Sequence, residues 1–105
     1  MTIVNLLSPQ TAAGDSNEFT CDGYSTLTVG MYTSSGSLNE RVGASVMIKN
    51  PTTNFDNLRD RGSRRNRVVT LTQEKPEYPI KQLGTFRISK PATTQAVGFW
   101  CDTGA

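Results

Sequence analysis

The sequence predicts an all-β protein, a single antiparallel β-sandwich domain over residues 1–105, immunoglobulin-like or jelly-roll-like in its wiring. Three observations lead there. Apolar and polar residues alternate with a period of two over most of the chain, the pattern of strands with one buried face. Glycine, proline, asparagine and aspartate recur at the short intervals that would separate about six to eight strands. The apolar fraction is 35% and the charged fraction 19%. Ser, Thr, Asn, Gln and Gly fill the difference, as a turn-rich β domain requires. A chain of 105 residues has room for one modest core.

The elements follow in order. "TIVNLL" opens as a strand that stops at Pro9, ahead of a small-residue stretch through Gly14. "EFTC", Glu18 to Cys21, ends at Asp22-Gly23, a pair suited to positive-φ turn geometry. "YSTLTVGMY" places Leu27, Val29 and Met31 on one face and Thr26 and Thr28 on the other, and "SSGS" turns the chain. "ASVMIK" points Ala44, Val46 and Ile48 inward, and "NPTTN" forms the next turn.

The segment "TTNFDNLRDR" admits two readings. Thr53 and Asp56 imitate a helix capping box, and Phe55 and Leu58 would share a helical face. An extended segment leading into a loop is the favoured alternative. "VVTLTQ" then aligns Val69 with Leu71. "EKPEYP" is excluded from a central strand, because each proline lacks a backbone donor. "GTFRIS" aligns Phe86 and Ile88 with Arg87 outward. "AVGFWC" aligns Val97, Phe99 and Cys101 with Trp100 on the opposite face. The expected inward set is Leu27, Val29, Val46, Ile48, Val69, Leu71, Phe86, Ile88, Val97 and Phe99.

The chemistry the sequence lacks narrows function. There is no histidine, the commonest general base and zinc ligand. Two cysteines cannot close a zinc site, and no nucleophile elbow, P-loop or dinucleotide fingerprint is present. A carboxylate pair at Asp15 and Glu18, or a calcium site from Asp15, Asn17 and Glu18, is outweighed by the ordinary use of Asp and Asn in turns. The expectation is no enzymatic activity, no cofactor and no metal. Cys21 and Cys101 could close a long disulfide loop, but two buried thiols are favoured for a product of a reducing cytosol. No apolar run reaches the roughly 20 residues of a membrane helix, and the first residues lack the basic start of a signal peptide. A soluble, cytoplasmically made product is expected.

One stretch stands apart. "RDRGSRRNR" carries Arg59, Arg61, Arg64, Arg65 and Arg67 against Asp60, and outside it six basic residues face eight acidic ones. The net charge of +2 is therefore concentrated locally. Phosphate binding is one reading, since the arginine fork suits phosphate. Single-strand binders, however, pair basic grooves with stacking aromatics, and this stretch has none. Docking onto a carboxylate-rich protein surface is favoured, with a solvated loop as the third reading.

Read in order, "LLSPQTAAGDSNEF", "DGYSTLTVG", "VGASVMIKNPTTNFDNL" and "LGTFRISKPATTQAVGFW" resemble the small virion structural proteins of tailed bacteriophages. Those proteins are β-sandwich domains that decorate or cement the capsid, or attach to the neck and tail. The resemblance implies a non-enzymatic capsid decoration protein, with a neck or tail component as runner-up. It implies a place in the virion, synthesis in the host cytoplasm, and the major capsid protein or other virion proteins as partners. Many symmetric copies are implied, a homo-oligomer among the options. The Arg59 to Arg67 stretch and "EKPEYP" depart from the family pattern and are assigned to this protein's own contacts. A single-strand nucleic-acid-binding β-barrel is the alternative of another class; nucleic acid and membrane partners are not expected.

Overall fold

The computed structural model describes residues 3–34, 36–60 and 67–103. Two antiparallel sheets pack face to face as a β-sandwich. The first runs in the order β1 (Ile3–Gln10), β12 (Val97–Asp102), β4 (Leu27–Thr33), β10 (Glu77–Ile80). The second is centred on β11 (Gly84–Lys90) and β5 (Ala44–Lys49). The free edge of β11 takes β2 (Gly14–Asp15) and β3 (Phe19–Cys21), and that of β5 takes β6 (Phe55–Asn57) and β9 (Thr70–Leu71). With each of these edges taken as one composite strand, the sandwich is four strands over four. A separate two-stranded ladder joins β7 (Arg59–Asp60) to β8 (Arg67–Val68).

The alternation decides what is inside. Leu27, Val29 and Met31 of β4 and Val97, Phe99 and Cys101 of β12 fill one side of the core. Ala44 and Val46 of β5 with Phe86 and Ile88 of β11 fill the other. Phe86 pairs with both Ile48 and Phe19, and its ring stacks on Phe19 with centroids 5.8 Å apart. The expected inward residues are buried except Ile48, which is half-buried near the β5 end and packs against the core. Arg87 lies outward, its guanidinium 4.0 Å above the Phe55 ring centroid, a cation–π contact.

Three expectations need correction or resolution. The first strand does not stop at Pro9 but continues to Gln10. A bulge between Leu7 and Gln10 sets Ser8 and Pro9 against Gly98, so the proline is not asked for a ladder donor. A Cβ on Gly98 would sit 2.4 Å from the Leu7 carbonyl oxygen and 2.9 Å from Pro9 N; only glycine lets the bulged strand pass so close. The segment after Asn50 is a turn followed by a strand, not a helix. Asn50 Oδ1 accepts hydrogen bonds from the Thr52 and Asn54 amides, and the chain then pairs as β6. Cys21 and Cys101 are both buried and free. "EKPEYP" supplies β10 at a sheet edge, where Pro79 costs no ladder bond.

Polar side chains fasten the sandwich where the chain crosses between sheets. Ser16 interrupts the edge formed by β2 and β3. Its N–H donates to the Ile88 carbonyl, and its hydroxyl accepts from the Ile88 N–H at 2.9 Å. The next residue, Asn17, donates to the Leu6 carbonyl in the other sheet. Lys90 follows Phe86 and Ile88 in the inward register and is only 2% exposed. Its ammonium donates toward the carbonyls of Thr11, Ala12 and Pro91 and to Thr93 Oγ1. Burial pushes its pKa down, and the nearby Glu40 carboxylate partly restores it. Glu40 holds the same connection from outside, accepting from the Gln95 and Thr94 amides and the Thr94 hydroxyl.

On the outer face of the first sheet, register aligns Asn5, Trp100, Gly30 and Glu77 across four strands. The Trp100 indole covers Gly30, where an added Cβ would come within 2.1 Å of Cε2.

Two predictions follow from this packing. Gly98→Ala is expected to cost about 1–3 kcal/mol, because backbone must move. Gly43→Ala, whose Cβ would meet only Thr70 Cγ2 at 3.5 Å, should stay within about 0.5 kcal/mol. Paired urea melts check the contrast, and equal losses would contradict it. The second concerns acid. The Gln95 amide and then the Thr94 hydroxyl hold Glu40 below its ordinary 4.5. A depressed folded pKa contributes stability that is present above the unfolded value and lost as pH falls through the folded one. Glu40→Gln should therefore melt lower than wild type at neutral pH, with the gap closing as the pH falls below 4.5 and through the depressed folded pKa. A gap independent of pH would mean that Glu40 acts by shape rather than charge.

Candidate functional site

The basic stretch is built onto the edge of the second sheet, at Val46. After β6, the Leu58 N–H donates to the Val46 carbonyl at 2.8 Å, and the chain leaves the sheet as β7. It returns as β8, and Val69 donates to the Leu58 carbonyl at 2.7 Å while accepting from the Val46 N–H at 3.1 Å. The chain then rejoins the edge as β9. Leu58 and Val69 are both buried, so two apolar side chains and a closed exchange of backbone bonds root the ladder in the core. The local sequence agrees with the rooting: apolar Leu58 and Val69 are buried, while Arg59 and Arg67 next to the branch are charged and exposed.

Of the five arginines expected to bind a partner, Arg59 and Arg67 lie on the ladder, and both are exposed. Arg61, Arg64 and Arg65 lie outside the described residues. Arg59 pairs with Val68, and Arg67 pairs with Asp60. Cross-strand partners share a face and neighbours alternate, so Arg59 and Arg67 present to opposite faces of the ladder. The stem therefore carries an arginine on each side, with Asp60 beside Arg67 on one of them.

Lys81 joins this site, and sequence reasoning missed it. A cleft of about 130 Å³ is lined by Leu58, Arg59, Tyr78, Pro79, Ile80, Lys81 and Gln82, which sets the first residues after β10 beside the ladder stem. Lys81 is exposed there. Nothing local in "PIKQLG" marks it; only the tertiary approach of β10 to β7 does.

The carboxylates weighed for catalysis or calcium have other partners. Asp15 lies 3.7 Å from the Arg87 guanidinium, and Glu18 lies 3.6 Å from the Lys49 ammonium. Asp22 caps its turn, accepting from the Ser25 and Tyr24 amides, which hold its carboxyl below the usual range. Gly23 in the same turn has φ +82°, a conformation natural to glycine. Among the described residues, no three His, Cys, Asp or Glu side chains gather as a metal site would need.

The thiols are enclosed as well. Cys21 Sγ donates to the Ile80 and Ser25 carbonyls at 3.6 Å. Burial and then the Asp102 charge push the Cys101 thiol up, away from the reactive thiolate.

No family model matches the sequence, and no curated protein sequence matches it. The fold is similar to that in the crystal structure of the SPBc2 prophage-derived protein YomS. The TM-score is 0.61 at 13% sequence identity, over 95% of this chain and 88% of that one.

A thiol-reagent assay should count two reactive cysteines in denaturant and almost none in the native protein, and a reductant should leave the melting temperature unchanged. Rapid native labelling would contradict the enclosure of Cys21 and Cys101.

Proposed function

We propose that this protein is a non-enzymatic structural part of a bacteriophage particle, a capsid decoration (cement) protein that binds and stabilises the assembled shell. The observation that carries this reading is the sandwich shared with a prophage-derived protein over nearly the full length of both chains. The arrangement of polar groups supports binding over catalysis. Asp15, Glu18 and Asp22 are engaged in ion pairs or a turn, and the ladder carries two exposed arginines, Arg59 and Arg67. Arginine forks fix register on carboxylates, and many symmetric copies turn weak contacts into stable occupancy. The partner is then the major capsid protein or another virion protein. Its assembled lattice is stabilised by mass action as sites fill.

The aromatic environment of the ladder favours protein over single-stranded nucleic acid. Tyr78, which shares the stem cleft, packs against the core, and Phe55 lies beneath Arg87. Neither is offered as a stacking platform of the kind such binders use.

The test pairs folding with assembly. Replacing Arg64 and Arg65 with alanine should change the melt by no more than about 0.5 kcal/mol. It should also reduce co-sedimentation with undecorated capsids several-fold, and added salt should weaken wild-type binding in parallel. Normal co-sedimentation by the folded variant would remove the arginines from the interface. Salt-sensitive binding to an oligonucleotide without capsid binding would favour the nucleic-acid reading.

A further inference from the structure

We infer that the outer face of the first sheet carries a carbohydrate-binding site formed by Ile3, Asn5, Tyr32 and Trp100. This goes beyond the virion reading and does not rest on it. The four side chains line a shallow recess of about 400 Å³, within the roughly 300–1,000 Å³ of small-ligand sites. Its floor is rigid. Trp100 and Tyr32 project from the central strands β12 and β4, and the indole is pressed onto the Gly30 backbone. The indole is half-buried, and the part that lines the recess is open to a ligand.

The polar groups match a sugar. The Tyr32 hydroxyl donates to Asn5 Oδ1 at 2.8 Å, so its lone pairs remain to accept. Asn5 Nδ2 donates one proton toward Ser8 Oγ at 3.2 Å, leaving the second for a ligand. A pyranose presents an apolar C–H face and a rim of hydroxyls that both donate and accept. The C–H face suits the electron-rich indole face, and the rim suits a phenol oxygen beside an amide. Ile3, 63% exposed at the sheet edge, supplies an apolar wall. The lining is neutral, with Asp102 and Glu77 entering only as flanking positions in the register. A neutral saccharide therefore fits better than an ionic ligand.

Trp100 is the single tryptophan of the chain, so its emission reports this recess directly. The probes are maltohexaose, cellohexaose and chitohexaose, titrated separately into the intact protein. At least one should shift the emission saturably, with a Kd on the order of 0.1–1 mM. Asn5→Ala and Ile3→Ala alter exposed positions and spare the indole that covers Gly30. Each variant should keep the wild-type melt, and Asn5→Ala should weaken binding by about three- to tenfold. Tyr32→Phe, which keeps the ring and loses the hydroxyl, should weaken it similarly. No shift by any of the three sugars at about 10 mM, or equal affinity in wild type and all three variants, would overturn the inference. So would an emission shift that follows protein concentration without sugar, since a second copy would then be covering the face. Capsid binding plays no part in these readouts, so the inference and the proposed function fail independently.

Discussion

Each sheet contributes a fully buried phenylalanine from a central strand, Phe99 from β12 and Phe86 from β11, and the period-two register fixes both. A slip of one residue in β11 would turn Phe86 and Ile88 to solvent and send Arg87 inward. Arg87 would then lose its place over Phe55 and beside Asp15. The same register in β12 decides that Phe99 faces the core while Trp100 covers Gly30. The basic ladder, the aromatic recess and the edge pairings all take their positions from it.

The register alone does not hold the two layers together, because hydrophobic burial is non-directional. The directional part comes from polar groups at the crossings. Ser16 continues the β11 ladder through its own hydroxyl, and Asn17 carries the bonding into the other sheet. Lys90 is a buried charge, costly unless surrounded by acceptors, and four oxygens surround it. Removing those oxygens would strand the ammonium, so the connections of β1 to β2 and β11 to β12 are constrained together.

The long alternating strands were legible because each carries several inward apolar residues in a row, as in Leu27, Val29 and Met31. The fold class and most of the core followed from that. The short edge segments were not, since β2, β7, β8 and β9 hold two residues each and two residues show no period. Pro9 read as a stop because the bulge that accepts it depends on Gly98, some ninety residues away in sequence. Lys90 continued the inward register of Phe86 and Ile88, yet a lysine at a strand end reads as an exit to solvent. At the candidate site, sequence located the arginines but could not place Arg59 and Arg67 on opposite faces or bring in Lys81. Both facts come from pairing and tertiary approach.

The way the basic ladder leaves the sandwich has an evolutionary consequence. It branches from a composite edge strand that closes behind it, through Leu58 and Val69 on the two sides of Val46. With the branch point sealed by main-chain bonds and two buried aliphatic residues, the packing of the core does not depend on the length or charge of what lies beyond it. Such a junction is a natural point of divergence. Lineages could lengthen, shorten or recharge the appendage without disturbing the core, while a scaffold defined by alternation rather than by particular residues drifts in sequence and keeps its shape.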